Sequence, residues 1–131
     1  MISITVLTDR GDNRGSSFSV DQSWSEFLPS PVDLHFTSLH PGGIRGNHYH
    51  RVRKEVIVVL HNDEWTLHWD EGVDTPVESR TFAGAGAVLL TVEPLASHAI
   101  VNTGKLDLFT MALTDARFDP QQPDSYPRRL N

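Results

Sequence analysis

Histidine dominates the residues of this sequence that could do chemistry: seven of the 131 residues are histidine and none is cysteine. His48 and His50 are separated by one residue, so on an extended strand both rings point to the same face. Two imidazoles placed in this way can bind one metal ion at about 2.0–2.1 Å per nitrogen. Because thiols are absent, such a site would be built from nitrogen and oxygen donors alone.

A glutamate and a third histidine extend this candidate site. Glu55 opens the apolar stretch Val56–Leu60, and a carboxylate that leads a strand buried on both faces needs a polar partner. His98 opens a second apolar stretch, and Asn102 follows it by four positions. Each residue alone also has an ordinary structural explanation, as a strand-end glutamate in water or a satisfied core histidine. Together, three neutral imidazoles and one carboxylate leave coordination positions open, as catalytic metal sites do.

The elements that must position these residues are short β-strands. Trp65, Leu67 and Trp69 alternate with polar residues at the period of two that is typical of a half-buried strand. No long segment has helical periodicity, and only residues 21–27 indicate a short helical turn. Further strands are predicted at Ser3–Thr8, Leu34–His40, Val56–Leu60, Pro76–Ala83, Ala87–Val92, His98–Asn102 and Leu106–Leu113. Many short strands separated by turn residues predict an all-β sandwich or barrel.

The length of the chain fits one domain. Without a repeat or a shift in composition, we expect a single domain over residues 1–131. Its N-terminal strands and loop would occupy residues 1–33 and its barrel core residues 34–113. The prolines and polar residues of the tail, 114–131, predict that it wraps the surface or frays.

Charge and hydropathy limit the partners and the compartment. The chain has 11 lysines and arginines against 17 aspartates and glutamates, a formal net charge of −6. An acidic chain without a basic stretch argues against nucleic acid or an anionic membrane as the main partner. The longest strongly apolar run, Val56–Leu60, is far shorter than the roughly 20 residues of a spanning helix. The first residues lack the pattern of a signal peptide, so we expect a cytoplasmic protein.

Two segments carry a resemblance to a known family. Gly42–Asn62 resembles the first cupin motif, in which a glycine, His-x-His, a glutamate and a closing glycine follow in order, although Asn62 replaces the last glycine. Gly86–Asn102 resembles the second motif, which ends in a histidine, three residues and an asparagine. Glu93 and Leu95 depart there from the usual proline and glycine, while the histidine and the asparagine match.

The resemblance implies an all-β fold, a single cupin-type double-stranded β-helix, or jelly-roll, barrel. It also implies one divalent metal ion inside that barrel. The ligands that it implies are His48, His50, Glu55 and His98. These donors do not select among iron(II), manganese, nickel, copper and zinc.

Two short phrases resemble a subgroup of cupins that act on sugar nucleotides. Arg45–His50 is similar to their Arg-Gly-x-His segment, and Asp12–Phe18 is similar to their Asp-x-Arg-Gly opening. The nearest resemblance is to the cupin domain of bifunctional capsular-polysaccharide enzymes. It implies an epimerase or isomerase of a keto-deoxysugar nucleotide in polysaccharide biosynthesis. Arg45 and Arg14 would then hold the diphosphate, although both could equally be exposed solubilising side chains.

Several alternatives stay open at this point. In metal-free sugar-nucleotide cupins the histidine that matches His48 is the catalytic base, and a metal-bound histidine cannot also serve as that base. Glu55 favours the metal, which leaves the catalytic residue unknown; the candidate bases are His35, His40, His61 and His68. An iron- or manganese-dependent oxygenase and a non-catalytic binding module are the competing functions.

The oligomeric state is predicted from Val56–Leu60. Because this stretch is apolar on both faces, one face is expected to line the barrel and the other to pack on a second sheet or a partner. Cupins commonly form dimers through such sheets, so the resemblance implies a homodimer.

Overall fold

The computed structural model describes residues 1–131 as ten β-strands and one short helix. The elements are β1 (Ile2–Val6), α1 (Ser23–Phe27), β2 (Asp33–Leu39), β3 (Ile44–Tyr49), β4 (Glu55–His61), β5 (Trp65–Asp70), β6 (Glu78–Phe82), β7 (Gly86–Val92), β8 (Ser97–Val101), β9 (Leu108–Thr114) and β10 (Tyr126–Pro127). Every strand predicted from the sequence is present, with its ends shifted by no more than two residues. The structure contains no helix with the length and apolar character needed to span a membrane.

The strands form two antiparallel five-stranded sheets that enclose one core. The first sheet has the order β1-β7-β4-β9-β2 and the second the order β10-β3-β8-β5-β6. Inward side chains such as Ile57 and Leu90 of the first sheet pack with Trp65 and Leu67 of the second in one apolar cluster. Each fully buried apolar side chain of this kind contributes about 1.5–3 kcal/mol. The predicted all-β, cupin-type jelly-roll barrel is confirmed.

Strand β4 is apolar on both sides because two different layers cover it. Ile57 points into the barrel core, whereas Val56 and Val58 belong to a second apolar cluster on the outer face of the sheet. Leu28, which directly follows α1, is fully buried in this second cluster. The cover of this part of the outer face is thus the chain's own N-terminal segment, and not the second sheet or partner that the sequence predicted. Segment 7–28 lacks a periodic pattern, so its packing partner could not be inferred.

A β-bulge in β3, just before His48, sets the register between β3 and β8. Gly46 and Asn47 both have positive φ angles, +107° and +56°, and the pairing with β8 shifts register between Gly46 and His48. A Cβ atom at Gly46 would lie 2.3 Å from the carbonyl oxygen of His98, so this position requires glycine. The extra residue places Arg45 opposite Ile100 and His48 opposite His98. Directly opposed residues share a sheet face, and Ile100 and His98 share a face because they are two residues apart on β8. Arg45 and His48 therefore lie on the same face.

The C-terminal tail wraps the second sheet instead of fraying. Strand β10 adds to the edge of that sheet by pairing with β3, and Leu130 is buried. The Arg128 guanidinium donates to both carboxylate oxygens of Asp70, at 3.0 and 3.1 Å. Asp70 is itself buried and also accepts a hydrogen bond from the backbone amide of Ser97. This ion pair between a buried aspartate and a partly buried arginine attaches the tail to the barrel.

Candidate metal centre

The topology brings the four predicted ligand residues to one place between the two sheets. His48 on β3 and His98 on β8 are direct partners in the second sheet. Glu55 begins β4 in the first sheet and has the same inward orientation as Ile57. His50 follows β3 directly, in the connection that leads from the second sheet to the first. Donors from both sheets therefore face one another across the barrel.

Distances show which of these residues form a cluster. The ligand atoms of His48, His50 and Glu55 all lie within 4.8 Å of one another. Nε2 of His50 is 2.8 Å from Oε1 of Glu55. The ring of His98 lies edge-on to that of His48, with 5.3 Å between the ring centroids. The structure thus gathers three predicted ligands and places the fourth ring beside them.

The electrostatic state of Glu55 follows from its neighbours. Glu55 and His50 are both buried, and burial by itself would raise the pKa of the Glu55 carboxyl. The hydrogen bond and charge of His50 outweigh burial and lower the pKa of Glu55 to about 2. Burial lowers the pKa of the His50 ring, but the hydrogen bond and charge of Glu55 more than reverse this and raise it. At neutral pH the site therefore contains a carboxylate.

The other two histidines are held neutral. Burial, with a further contribution from His98, lowers the pKa of His48 to about 4. Burial also lowers the pKa of His98. A neutral imidazole has the free lone pair that a metal ion needs, whereas an imidazolium has none. His48 and His98 are thus in the protonation state required of ligands.

The donor set fits a divalent metal ion. Nδ1 of His98 is buried and has no hydrogen-bond partner, and a buried polar atom without a partner costs about 1–3 kcal/mol. The adjacent cluster offers imidazole nitrogens and carboxylate oxygens, which are the donors that iron, manganese and zinc accept. His48, His50 and Glu55, with the ring of His98 beside them, are the residues that could hold such an ion.

The two predicted diphosphate ligands occupy different places. The register of β3 puts the exposed Arg45 on the sheet face that carries His48. Arg14 lies in an exposed turn, where its guanidinium donates to the Asp12 carboxylate at 2.6 Å. No hydrogen bond or ion pair joins Arg14 to the histidine cluster.

The remaining four histidines lie outside the cluster. His61 is buried, and its Nδ1 donates to the backbone carbonyl of Gly84 at 2.6 Å. Nδ1 of His68 is 2.6 Å from the hydroxyl of Ser79. The other two are exposed near aspartates, His40 beside Asp107 and His35 beside Asp33. None of the candidate bases belongs to the group formed by His48, His50 and Glu55.

Sequence reasoning missed one residue that contacts the centre and a second that contacts the first. Asp124, in the tail, accepts a hydrogen bond from Nδ1 of His50 through its backbone carbonyl. Arg53 is buried, and its Nη2 donates to the backbone carbonyls of Pro123 and Asp124. Asp124 lies 74 positions from His50 along the chain, and no local pattern signals that contact.

Comparison with protein families identifies the chain. Residues 10–126 match the family model described as the polysaccharide biosynthesis C-terminal domain. The chain belongs to this family. A search of curated proteins with this chain finds no significant match.

Solved structures share the fold of this polysaccharide biosynthesis C-terminal domain. The capsular polysaccharide assembling protein CapF from Staphylococcus aureus has a TM-score of 0.68 at 24% identity, covering 94% of this chain and 34% of CapF. NovW, a 4-keto-6-deoxy sugar epimerase from Streptomyces spheroides, has a TM-score of 0.71 at 14% identity, covering 92% of this chain and 66% of NovW. The rmlC epimerase of Mycobacterium tuberculosis has a TM-score of 0.72 at 15% identity, covering 96% of this chain and 68% of the epimerase. The domain therefore spans about a third of the length of CapF.

Proposed function

We propose that this polysaccharide biosynthesis C-terminal domain is a metal-dependent epimerase or isomerase of a keto-deoxysugar nucleotide. The observation that carries the proposal is the buried convergence of His48, His50 and Glu55 from the two sheets. The family match and the similarity of its fold to that of a 4-keto-6-deoxy sugar epimerase support the substrate class.

The chain's own residues would prepare the site for proton transfer next to a ketone. A divalent ion held by this site would supply Lewis acidity towards the ketone oxygen. Glu55 contributes a fixed negative charge, and the neutral rings of His48 and His98 contribute lone pairs. Since His98 and Glu55 are buried, water is largely excluded and the electrostatic interactions of the site are strengthened.

Arginines near the centre suit an anionic substrate. Arg45 lies on the face that carries His48. A cavity of about 650 Å³ opens between the connection after β3 and the tail. Three arginines, Arg51, Arg53 and Arg117, and two aspartates, Asp119 and Asp124, line this cavity. Arg53 is buried and already donates to the tail carbonyls. Planar guanidinium groups bind phosphate oxygens in pairs, so we propose that Arg45, Arg51 and Arg117 are the arginines available for diphosphate contacts.

The test is carbon–hydrogen exchange in D2O with nucleotide-linked 4-keto-6-deoxysugars, combined with metal analysis of the purified protein. We expect about one divalent ion per chain and NMR-detected deuterium at a carbon adjacent to the ketone. A chelator should abolish the exchange, and added metal should restore it. Exchange that persists in metal-free protein would contradict the metal requirement and indicate that the neutral His48 acts as the base.

Two other results would favour the competing functions. Oxygen uptake with a small organic substrate, with iron or manganese bound and no exchange on sugar nucleotides, would indicate an oxygenase. A non-catalytic binding module would be indicated if the His50→Ala variant, without metal, bound a sugar nucleotide as tightly as the wild type and neither protein catalysed exchange. Either outcome would overturn the proposed reaction.

A homodimer is the proposed assembly. Part of the outer face of the first sheet is apolar and uncovered, and β2 is one of the two edge strands of that sheet. The exposed side chains of this face are Leu34, Phe36, Leu60 and Phe109. A second copy of the chain is the proposed occupant, because an apolar face beside an unpaired edge strand favours self-association.

The Phe36→Glu variant tests this assembly. We expect sedimentation velocity to show a dimer for the wild type and a monomer for the variant, since a charge would be buried at the interface. Val73→Glu is the matched control: Val73 is 72% exposed, similar to the 75% of Phe36, but lies in the turn between β5 and β6. A monomeric wild type would show that the homodimer prediction is wrong.

A further inference from the structure

The C-terminal tail returns to the metal centre and is fixed there by aromatic and charged contacts. Strand β10 pairs Tyr126 with Tyr49 and Pro127 with His48. The rings of Tyr126 and Tyr49 stack, with 5.4 Å between centroids, and the guanidinium of Arg51 lies 4.1 Å above the Tyr126 ring. These contacts place Asp124, two residues before Tyr126, against the connection that joins β3 to β4.

The carboxylate of Asp124 holds this connection through three consecutive backbone amides. It accepts hydrogen bonds from the amides of Arg51 at 2.8 Å, Val52 at 3.2 Å and Arg53 at 3.1 Å. The connection carries His50 at its start and Glu55 at its end. Three charge-assisted hydrogen bonds on so short a segment restrict the separation of these two ligands.

The backbone carbonyl of Asp124 holds a proton on Nδ1 of His50. It lies 2.5 Å from Nδ1 of His50, and because a carbonyl oxygen can only accept, Nδ1 must carry the proton. Nε2 donates to the Glu55 carboxylate at 2.8 Å, and it is the nitrogen left for a metal ion once that proton is released. Asp124 has a φ of +45°, a left-handed conformation that aspartate adopts more readily than most residues. In this conformation its carbonyl and its carboxylate both reach the connection.

We propose that Asp124 is a positioning residue of the metal centre, holding the Nδ1 proton of His50 and setting the spacing between His50 and Glu55. The inference rests on the proposed function for its metal, but its hydrogen bonds are properties of the chain itself. Outer hydrogen-bond partners of ligating histidines typically contribute 10- to 100-fold in metal affinity. Asp124 would have this role although it belongs to the tail and not to the barrel.

The test compares Asp124→Ala with Asp124→Asn, using Co²⁺ as the probe. For Asp124→Ala we expect Co²⁺ affinity to fall by about 10- to 100-fold and the visible absorption of the bound Co²⁺ to change. Asp124→Asn tolerates the same backbone conformation and keeps one oxygen acceptor, so it should recover part of the affinity and the wild-type spectrum. Asp74→Ala is the control, since Asp74 also has a positive φ, +63°, but is exposed in a distant turn.

A second readout needs no metal. In the metal-free wild type, ¹⁵N NMR should show a proton on Nδ1 of His50 that is hydrogen-bonded and slow to exchange with solvent, and Asp124→Ala should make this proton exchange rapidly. If Asp124→Ala only lowers the unfolding temperature, while Co²⁺ affinity, the Co²⁺ spectrum and exchange of the Nδ1 proton stay as in the wild type, the proposal is overturned. If the wild type binds no Co²⁺, the proposed metal function fails, and the exchange of the Nδ1 proton alone decides whether Asp124 positions His50.

Discussion

The Glu55→Gln variant is expected to lose its bound divalent metal and at least about a thousandfold in the rate of substrate proton exchange, while keeping its fold. Lewis-acid stabilisation of developing charge is worth several kcal/mol, and about 4 kcal/mol corresponds to a factor of roughly a thousand. Glu55 is the one carboxylate in the cluster, so its replacement removes the only negative charge that offsets a divalent cation there. Glutamine keeps the shape and can still accept the 2.8 Å hydrogen bond from His50.

Metal content by elemental analysis, exchange by NMR and thermal unfolding should be measured on the same preparations. Glu64→Gln is the matched control, because Glu64 is exposed and lies outside the cluster. Full metal content and full exchange in Glu55→Gln would contradict the proposed centre. Loss of exchange with full metal content would instead assign Glu55 a part in the reaction and not in binding the metal.

The Asn102→Asp variant is expected to lower the free energy of unfolding by about 3–5 kcal/mol at pH 7. Asn102 is buried, and its Nδ2 donates to the backbone carbonyls of Leu39 at 2.8 Å and Leu106 at 2.9 Å. Its Oδ1 accepts from the amide of Gly104 at 3.0 Å. Leu39 ends β2 in the first sheet, so the side chain links the two sheets. A carboxylate cannot donate, and it would face two carbonyl oxygens in a buried site.

Urea unfolding of the wild type and the variant measures this loss, and Asn62→Asp, at an exposed position, is the control for the added charge. The destabilisation relative to wild type should be smaller at pH 4 than at pH 7. The buried carboxyl would have a raised pKa in the folded state, so its protonated form, which can donate one hydrogen bond, favours folding as the pH falls. A difference below about 1 kcal/mol at pH 7 would show that the amide does not join the sheets.

Much of the candidate centre could be predicted because its spacing follows from strand geometry. One residue between His48 and His50 predicts two rings on one face, and Glu55 and His98 lie at or next to the start of apolar strands that the structure confirms. The distances within the cluster could not be predicted. They depend on the bulge at Gly46, on the register that pairs His48 with His98, and on the position of β4 in the sheet that faces these two strands.

The sequence by itself determined the class of the fold and the donors of the site. Alternating and β-branched apolar segments divided by turn residues dictate an all-β barrel, and the absence of cysteine restricts any metal site to nitrogen and oxygen donors. These are local properties, since each depends on residues close together in the chain.

Only the tertiary structure decided which residues support that site. The segment that covers the outer face of β4 ends at Leu28, and Asp124 reaches His50 from 74 positions away. Long-range contacts of this kind depend on how the sheets stack and where the tail pairs. A hydrogen bond or an apolar contact between distant segments leaves no periodic pattern in either one. The centre's outer support therefore became visible only when the two sheets and the tail were placed together.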